Sequence, residues 1–184
     1  MAEDTTRKIY DLSNFTILLV EDFEFMRQLT TNMLKEFGVG GVAVANSGND
    51  AKHMLNVTAH SSAPQTIDIV LTDWMMPDGS GHELIQYIRN HKSDKIKFIP
   101  VIMISAFTSE NTILTARDSG VNEAMVKPVS GEKLASRILN VIDHPRPFIK
   151  APDFFGPDRR RRTIKFSGED RRKIDAEQIK VNYE

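Results

Sequence analysis

The sequence predicts an α/β domain with a doubly wound, five-stranded parallel sheet, followed by a C-terminal tail that is disordered or folds on a ligand. Three observations predict this. Five short apolar or β-branched runs alternate with five segments of helical periodicity, which is the pattern of strand–helix units joined by right-handed crossovers. Serines and glycines punctuate the helical segments where caps and stops are needed. Beyond Asp143 the chain becomes polar, and two prolines interrupt it.

Residues 1–14 form a polar N-terminal extension from which Tyr10 and Leu12 can dock on the body. Phe15 to Val20 reads as the first strand and ends in Glu21-Asp22. Met26, Leu29, Met33, Leu34 and Phe37 recur at helical spacing, so 25–37 reads as a helix, stopped by Gly38 and Gly40-Gly41. Val42 to Ala45 is a short strand, and Ser47 caps a helix to about Val57. Residues 59–65, with two serines and Pro64, read as a loop. Asp68 to Thr72 is the third strand, followed by Asp73, Pro77 and Gly79, then a helix from Gly81 to Asn90. Phe98 to Ile104 is the fourth strand. Ser109 and Gly120 bracket the next helix, Glu123 to Val126 is the fifth strand, and Ser130 caps a last helix to Asp143. Pro145 and Pro147 prevent that helix from continuing. The expected division is therefore an extension (1–14), a domain (15–143) and a tail (144–184).

Composition narrows the chemistry. With no cysteine, disulfides, thiol nucleophiles and cysteine-based zinc sites are excluded. The five histidines (53, 60, 82, 91 and 144) show no metal-ligand spacing. No apolar run approaches the ~20 residues of a membrane helix, and the N-terminus lacks the apolar centre of a signal peptide, so a cytoplasmic protein without membrane insertion is expected. Residues 144–184 carry eleven Lys/Arg against seven Asp/Glu, a net of +4, whereas the first 143 carry thirteen against eighteen, a net of −5. A basic tail on an acidic body points to an anionic partner.

The ends of parallel strands share one edge, and functional groups gather there. The expected edge holds Glu21 and Asp22 after strand one, Asp73 after strand three, Ser105 after strand four and Lys127 after strand five. Each alone has an ordinary explanation, such as a turn or cap aspartate. Together, three carboxylates repel one another and ask for a hard divalent cation; few protein oxygens and retained waters suit Mg²⁺. A hydroxyl and an ammonium beside them can hold phosphoryl oxygens. Asp73 is the expected phosphoryl acceptor.

The stretches LLVED (18–22), LTDWMMPDGSG (71–81), PVIMISA (100–106) and VKP (126–128) resemble the receiver domain of response regulators, the CheY-like fold. The resemblance covers 15–143 and implies strand order 2-1-3-4-5. It also implies Asp73 as phosphoacceptor, Mg²⁺ held by Glu21, Asp22, Asp73 and the backbone carbonyl of Met75, and phosphoryl contacts from Ser105 and Lys127. The implied donor is a histidine kinase or phosphotransfer protein. Two features depart from the family. The aromatic often found three residues before the lysine is Ala124 here, which weakens the expected coupling between a ring and the Ser105 hydroxyl. Met75 and Phe107, each two residues beyond Asp73 and Ser105, are apolar and bear on the lifetime of the acyl phosphate.

The tail contains an internal repeat. Phe154-Phe155-Gly156-Pro157-Asp158-Arg159-Arg160-Arg161 aligns with Phe166-Ser167-Gly168-Glu169-Asp170-Arg171-Arg172-Lys173, twelve residues on. A solvated charge run, or a patch for nucleic acid or anionic lipid, remains an alternative; the interspersed acids speak against DNA. Arginine donates two hydrogen bonds to guanine O6 and N7 and stacks on bases. A carboxylate accepts from the guanine N1 and N2 hydrogens, and glycine permits close backbone approach to phosphate. Two copies suit a two-fold ligand with two guanines, cyclic di-GMP, held by Gly156, Asp158, Arg159, Arg160, Gly168, Asp170, Arg171 and Arg172. Residues 151–173 also resemble the arginine-rich extension of the CheY-like Cle proteins, which implies cyclic di-GMP binding and action at the flagellar motor switch. The expected function is a non-enzymatic signalling adaptor. The alternative is a stand-alone phosphorelay receiver with an inert or anion-binding tail. A transcription regulator lacks a helix-turn-helix here. An aspartyl phosphohydrolase would need a second aspartate where Met75 stands.

Overall fold

The computed structural model describes residues 10–60, 66–106, 109–159 and 180–182. Five strands, β1 (Thr16–Val20), β2 (Gly41–Ala45), β3 (Ile69–Asp73), β4 (Val101–Ser105) and β5 (Glu123–Val126), form one parallel sheet in the order β2-β1-β3-β4-β5. The central strands read as near-continuous apolar runs because helices cover both faces. One core lies between the sheet and α2 (Gly48–His60), α3 (Gly81–Arg89), α4 (Asp94–Lys97) and α5 (Glu110–Ser119); Leu18, Val70, Leu84 and Met103 belong to it. The other lies beneath α1 (Glu24–Glu36) and α6 (Gly131–Asp143), with Ile17, Leu71, Ile102 and Leu134. Alternate residues of one strand thus serve opposite cores, as the two-residue side-chain period requires.

Helix starts fall on serines, at Ser47, Ser109 and Ser130 as predicted and at Ser80 in addition. The Ser80 hydroxyl accepts from the Glu83 amide while the Glu83 carboxylate accepts from the Ser80 amide, both at 3.2 Å, a reciprocal cap for α3. Ser109 and Ser130 accept from the Thr112 and Lys133 amides at 3.2 and 3.4 Å. Gly120 ends α5 at φ +95°, a conformation that disfavours a side chain. Leu12 is buried and the Tyr10 hydroxyl donates to the Asp143 carboxylate, so the extension does dock.

Several boundaries differ from expectation. The third strand ends on Asp73 itself, and α2 continues to His60. The fourth strand begins at Val101: Pro100 lacks an amide for the ladder, and Asp94–Lys97 close one helical turn with Phe98 as its C-cap. That releases Phe98 from the sheet to a different task.

Its task concerns the chain after α6. That helix ends at Asp143, as the prolines require, but ordered structure continues. β6 (Phe148–Ala151) and β7 (Phe154–Pro157) form an antiparallel hairpin, and β8 (Lys180–Asn182) pairs with β6, giving a second sheet in the order β7-β6-β8. The sequence is too polar here to suggest a core, yet Phe148 is 5% exposed. Its ring meets Phe98 at 5.0 Å and Phe155 at 5.5 Å between centroids, and Phe98 and Phe155 meet at 5.3 Å. The Phe148 ring also lies 5.0 Å from the guanidinium of Arg89. Arg89 is buried and donates to the carbonyls of Gly120, Lys97 and Ile99 and to Asn122 Oδ1 at 2.7–3.0 Å. Burial pulls its pKa down to about 9, so it is still charged at neutral pH. Carbonyl dipoles and an aromatic face replace water around it.

Phe148→Ala should therefore cost about 3 kcal/mol, since it removes a buried ring and opens the Arg89 pocket to water. Urea unfolding read by circular dichroism checks this; a loss below about 0.5 kcal/mol, within the range of ordinary surface changes, contradicts it. Truncation after Asp143 should leave cooperative unfolding with a lowered midpoint, because both main cores lie within the parallel sheet and its helices.

Candidate functional site

The carboxyl edge of the sheet is built from strand ends, as the alternation predicts. Glu21 extends β1, its amide donating to the Ala45 carbonyl at 3.2 Å. Asp73 is the last residue of β3, opposite Ile104 in β4. Ser105 closes β4 and is 1% exposed. Lys127 follows β5, its amide bonded to the Ser105 carbonyl at 2.8 Å. Carboxylate oxygens of Glu21, Asp22 and Asp73 lie within 4.8 Å of one another. Lys127 Nζ joins two of them, at 2.6 Å from Asp73 Oδ2 and 2.8 Å from Glu21 Oε2. The amide of Met75 donates to Asp73 Oδ1 at 3.2 Å, holding the acid against the loop. The Met75 side chain faces solvent.

Burial raises the Glu21 pKa above the usual carboxyl range, against the opposing hydrogen bond and charge of Lys127. Burial alone lowers the Lys127 ammonium, but its hydrogen bonds and charge interactions with Asp73 and Glu21 outweigh this and raise its pKa. The lysine is therefore a fixed cation. Glu21 Oε1 is buried without a hydrogen-bond partner among the described residues. A buried unpaired carboxylate oxygen is costly, and a hard cation beside it relieves the cost. Three oxygen-donor side chains with one such orphaned atom fit Mg²⁺.

Sequence reasoning missed Arg27. From the first turn of α1 its Nη1 donates to the Glu21 and Asp22 carbonyls at 2.9 and 3.2 Å, which holds the loop carrying both acids. The available signal was a cation six residues beyond Glu21, one helical turn into the segment. Trp74 was also passed over. It is buried, and its ring meets His82 edge-on at 5.3 Å. His82 Nδ1 is 2.8 Å from Ser119 Oγ, linking the residue after Asp73 to the end of α5.

The tail residues lie at the other edge. Helices run antiparallel to the strands, so the C-cap of α5 is opposite the carboxylates. There Gly156 packs on Gly120: a Cβ at 156 would stand 2.9 Å from Gly120 Cα and 2.9 Å from Phe154 Cζ. Close packing thus accounts for this glycine, where the sequence suggested approach to a phosphate. The Asp158 amide donates to the Pro147 carbonyl at 2.8 Å, and the Asp158 carbonyl accepts from Arg146 at 3.0 Å. Arg159 pairs with Asp118 at 3.1 Å and covers the Phe154 ring at 4.0 Å. Arg160, Gly168, Asp170, Arg171 and Arg172 lie outside the described residues.

Mg²⁺ should bind more weakly by at least about tenfold in Asp73→Asn, which removes a charged oxygen ligand (~1.4 kcal/mol per tenfold). Lys127→Ala should bind at least as tightly as the unaltered chain, because the lysine competes for the same oxygens. Fluorescence of the single tryptophan, Trp74, reports both titrations. Loss of affinity in Lys127→Ala would contradict the role given to that ammonium.

Residues 17–139 match the family model described as "Response regulator receiver domain". The chain is 33% identical over 127 residues to the chemotaxis protein CheY of Pseudomonas aeruginosa, covering 69% of this chain and 95% of that protein. It is 32% identical over 130 residues to chemotaxis protein CheY-3 of Vibrio cholerae, covering 71% and 93%. Among solved structures, CheY in the CheX–CheY–BeF₃–Mg²⁺ complex of Borrelia burgdorferi matches with a TM-score of 0.61 and 26% identity, covering 70% of this chain and 89% of that one. The family model covers well over half of the chain, and the chain belongs to the response regulator receiver family.

Proposed function

We propose that the chain is a response regulator that accepts a phosphoryl group on Asp73. Mg²⁺ is held by Glu21, Asp22, Asp73 and the backbone carbonyl of Met75. The observation that carries this reading is the 2.6 Å contact of Lys127 with Asp73 inside a ring of carboxylates. A carboxylate oxygen of Asp73 attacks phosphorus, the bond from phosphorus to the donor nitrogen breaks with its electron pair left on that nitrogen, and the donor imidazole, already protonated on its other ring nitrogen, leaves neutral. Lys127 stays charged throughout and passes from a carboxylate oxygen to a phosphoryl oxygen, compensating the added negative charge. Ser105, at the end of the neighbouring strand, donates its hydroxyl to the same group. The phosphodonor is a histidine kinase or phosphotransfer protein.

The tail extends this reading. The duplicated G-x-D-R-R unit binds cyclic di-GMP, and the liganded protein is a cytoplasmic adaptor acting on a protein partner such as the flagellar motor switch. Support comes from the repeat itself, the guanine chemistry of its arginines, and relatives described as chemotaxis proteins. The second reading, a phosphorelay receiver whose tail is inert, draws on the first copy of the repeat. Gly156 is used in packing, and Arg159 already has Asp118 and Phe154 as partners.

With Mg²⁺ and a small-molecule phosphodonor such as acetyl phosphate, the chain should be labelled and Asp73→Asn should not; equal labelling would refute the acceptor. Calorimetry separates the two readings of the tail. Arg159→Ala with Arg160→Ala should weaken cyclic di-GMP binding by roughly ten- to a hundredfold, from ~1–3 kcal/mol per bidentate contact. Lysine at both positions should not restore it, since lysine lacks the planar fork. Cyclic di-AMP, with an amino group in place of O6, should bind far more weakly. Equal binding of the two dinucleotides would reduce the tail to an electrostatic patch.

A further inference from the structure

A groove of about 360 Å³ runs along β5 between α5 and α6. It extends from Val121 and Asn122, beside the hairpin, to Val126, the neighbour of Lys127. Its floor is apolar: Met103 and Ala124 lie in paired strands, with Ile113 and Val126 half exposed at 44% and 42%. Its rim is cationic, formed by Arg117 of α5, Arg137 of α6, and Arg146 and Arg159 from the chain flanking the hairpin. Four guanidinium groups stand against two carboxylates that pair with them, Asp118 with Arg117 and Arg159, and Glu123 with Arg137. Arg146 is anchored on the carbonyls of Val121, Asn122 and Asp158.

The groove owes its depth to Ala124. In this family the place often holds an aromatic ring, and a ring on β5 facing α5 would fill the space over Met103. The site is also composite. Two of its four arginines reach it only because the hairpin is docked on Gly120 and Arg89. Apolar side chains and four guanidinium groups lining one groove match the chemistry of a nucleotide, a flat base and anionic oxygens. The volume lies near the lower end of small-molecule sites, ~300–1,000 Å³. That is room for one nucleotide half of a two-fold ligand, and too little for an amphipathic helix of several turns.

We propose that this groove seats one guanine half of cyclic di-GMP, the base lying over Ala124 and the phosphate facing the arginine rim. The inference rests on the cyclic di-GMP reading above and places that ligand on the body of the receiver as well as on its tail. The base then occupies the position of the missing aromatic, opposite Met103 in register, on the strand whose last residue, Val126, pairs with Ser105 and precedes Lys127. Ligand at the tail and phosphoryl group at Asp73 thereby bear on one strand, and each changes the affinity for the other by the same factor.

The test uses the full chain with cyclic di-GMP as the probe, titrated by calorimetry and by ¹H–¹⁵N NMR. Ala124→Tyr, which restores a ring common at this place, and Arg117→Ala, at an exposed position, should each weaken binding by tenfold or more while thermal unfolding stays unchanged. The amides of Ala124 and Val126 should shift on saturation. If both variants bind like the unaltered chain, or if only tail amides shift, the groove is not the seat and the tail-only reading stands. If the unaltered chain binds no cyclic di-GMP, the ligand reading falls and the seat falls with it. Should Ala124→Tyr unfold, Arg117→Ala and the amide shifts decide alone.

Discussion

The ammonium of Lys127 between Asp73 and Glu21 is the interaction on which the functional edge depends. Two carboxylates within 4.8 Å of one another repel by ~3 kcal/mol or more at an effective dielectric of ~20. Burial adds to the cost, as the raised pKa of Glu21 records. A cation held at 2.6 and 2.8 Å from the two acids offsets this and allows the edge to form before any metal arrives. It also leaves Glu21 Oε1 without a hydrogen-bond partner among the described residues, so the edge is stable but incomplete. Folding is satisfied by one cation, and chemistry asks for a second.

The opposite edge has its own buried cation. Among the described residues Arg89 donates to carbonyl oxygens and to Asn122 Oδ1, and the Phe148 ring lies against it. A cation solvated by dipoles in this way needs a cover that excludes water without adding charge. Phe98, Phe148 and Phe155 supply that cover. The hairpin is thus held by a body residue that would otherwise be exposed, which explains why a polar, proline-interrupted segment adopts strands at all.

Between the two edges lies β5, the outermost strand of the sheet. One end leads to Lys127, the other to Asn122, whose side chain bonds Arg89 and the Val101 amide at 3.0 Å each. Both cations are therefore tied to the same four-residue strand. A small residue at its middle, Ala124, leaves that strand with little side-chain volume on the α5 face. Whatever alters the packing there acts on a strand with hydrogen-bonded ladder partners on one side only.

The sequence by itself determined the alternation of elements, the caps at Ser47, Ser109 and Ser130, the stop at Gly120 and the identity of the strand-end acids. These follow from local chemistry: a period of two or 3.6, a hydroxyl able to accept from an amide, a glycine able to adopt positive φ. Parallel topology then carries Glu21, Asp22, Asp73, Ser105 and Lys127 to one edge, so the candidate site was legible as well. The tertiary structure alone decided what depends on distant partners. Phe98 leaves the strand predicted for it because Phe148, fifty residues later, gives its ring a buried partner. Gly156 looks like a phosphate-approach glycine in the sequence, and only the tertiary structure sets it against Gly120. Arg146 and Arg159 acquire their positions from carbonyls and carboxylates on other elements. No periodicity encodes these pairings, because their energy lies in surfaces that meet only after the sheet has formed.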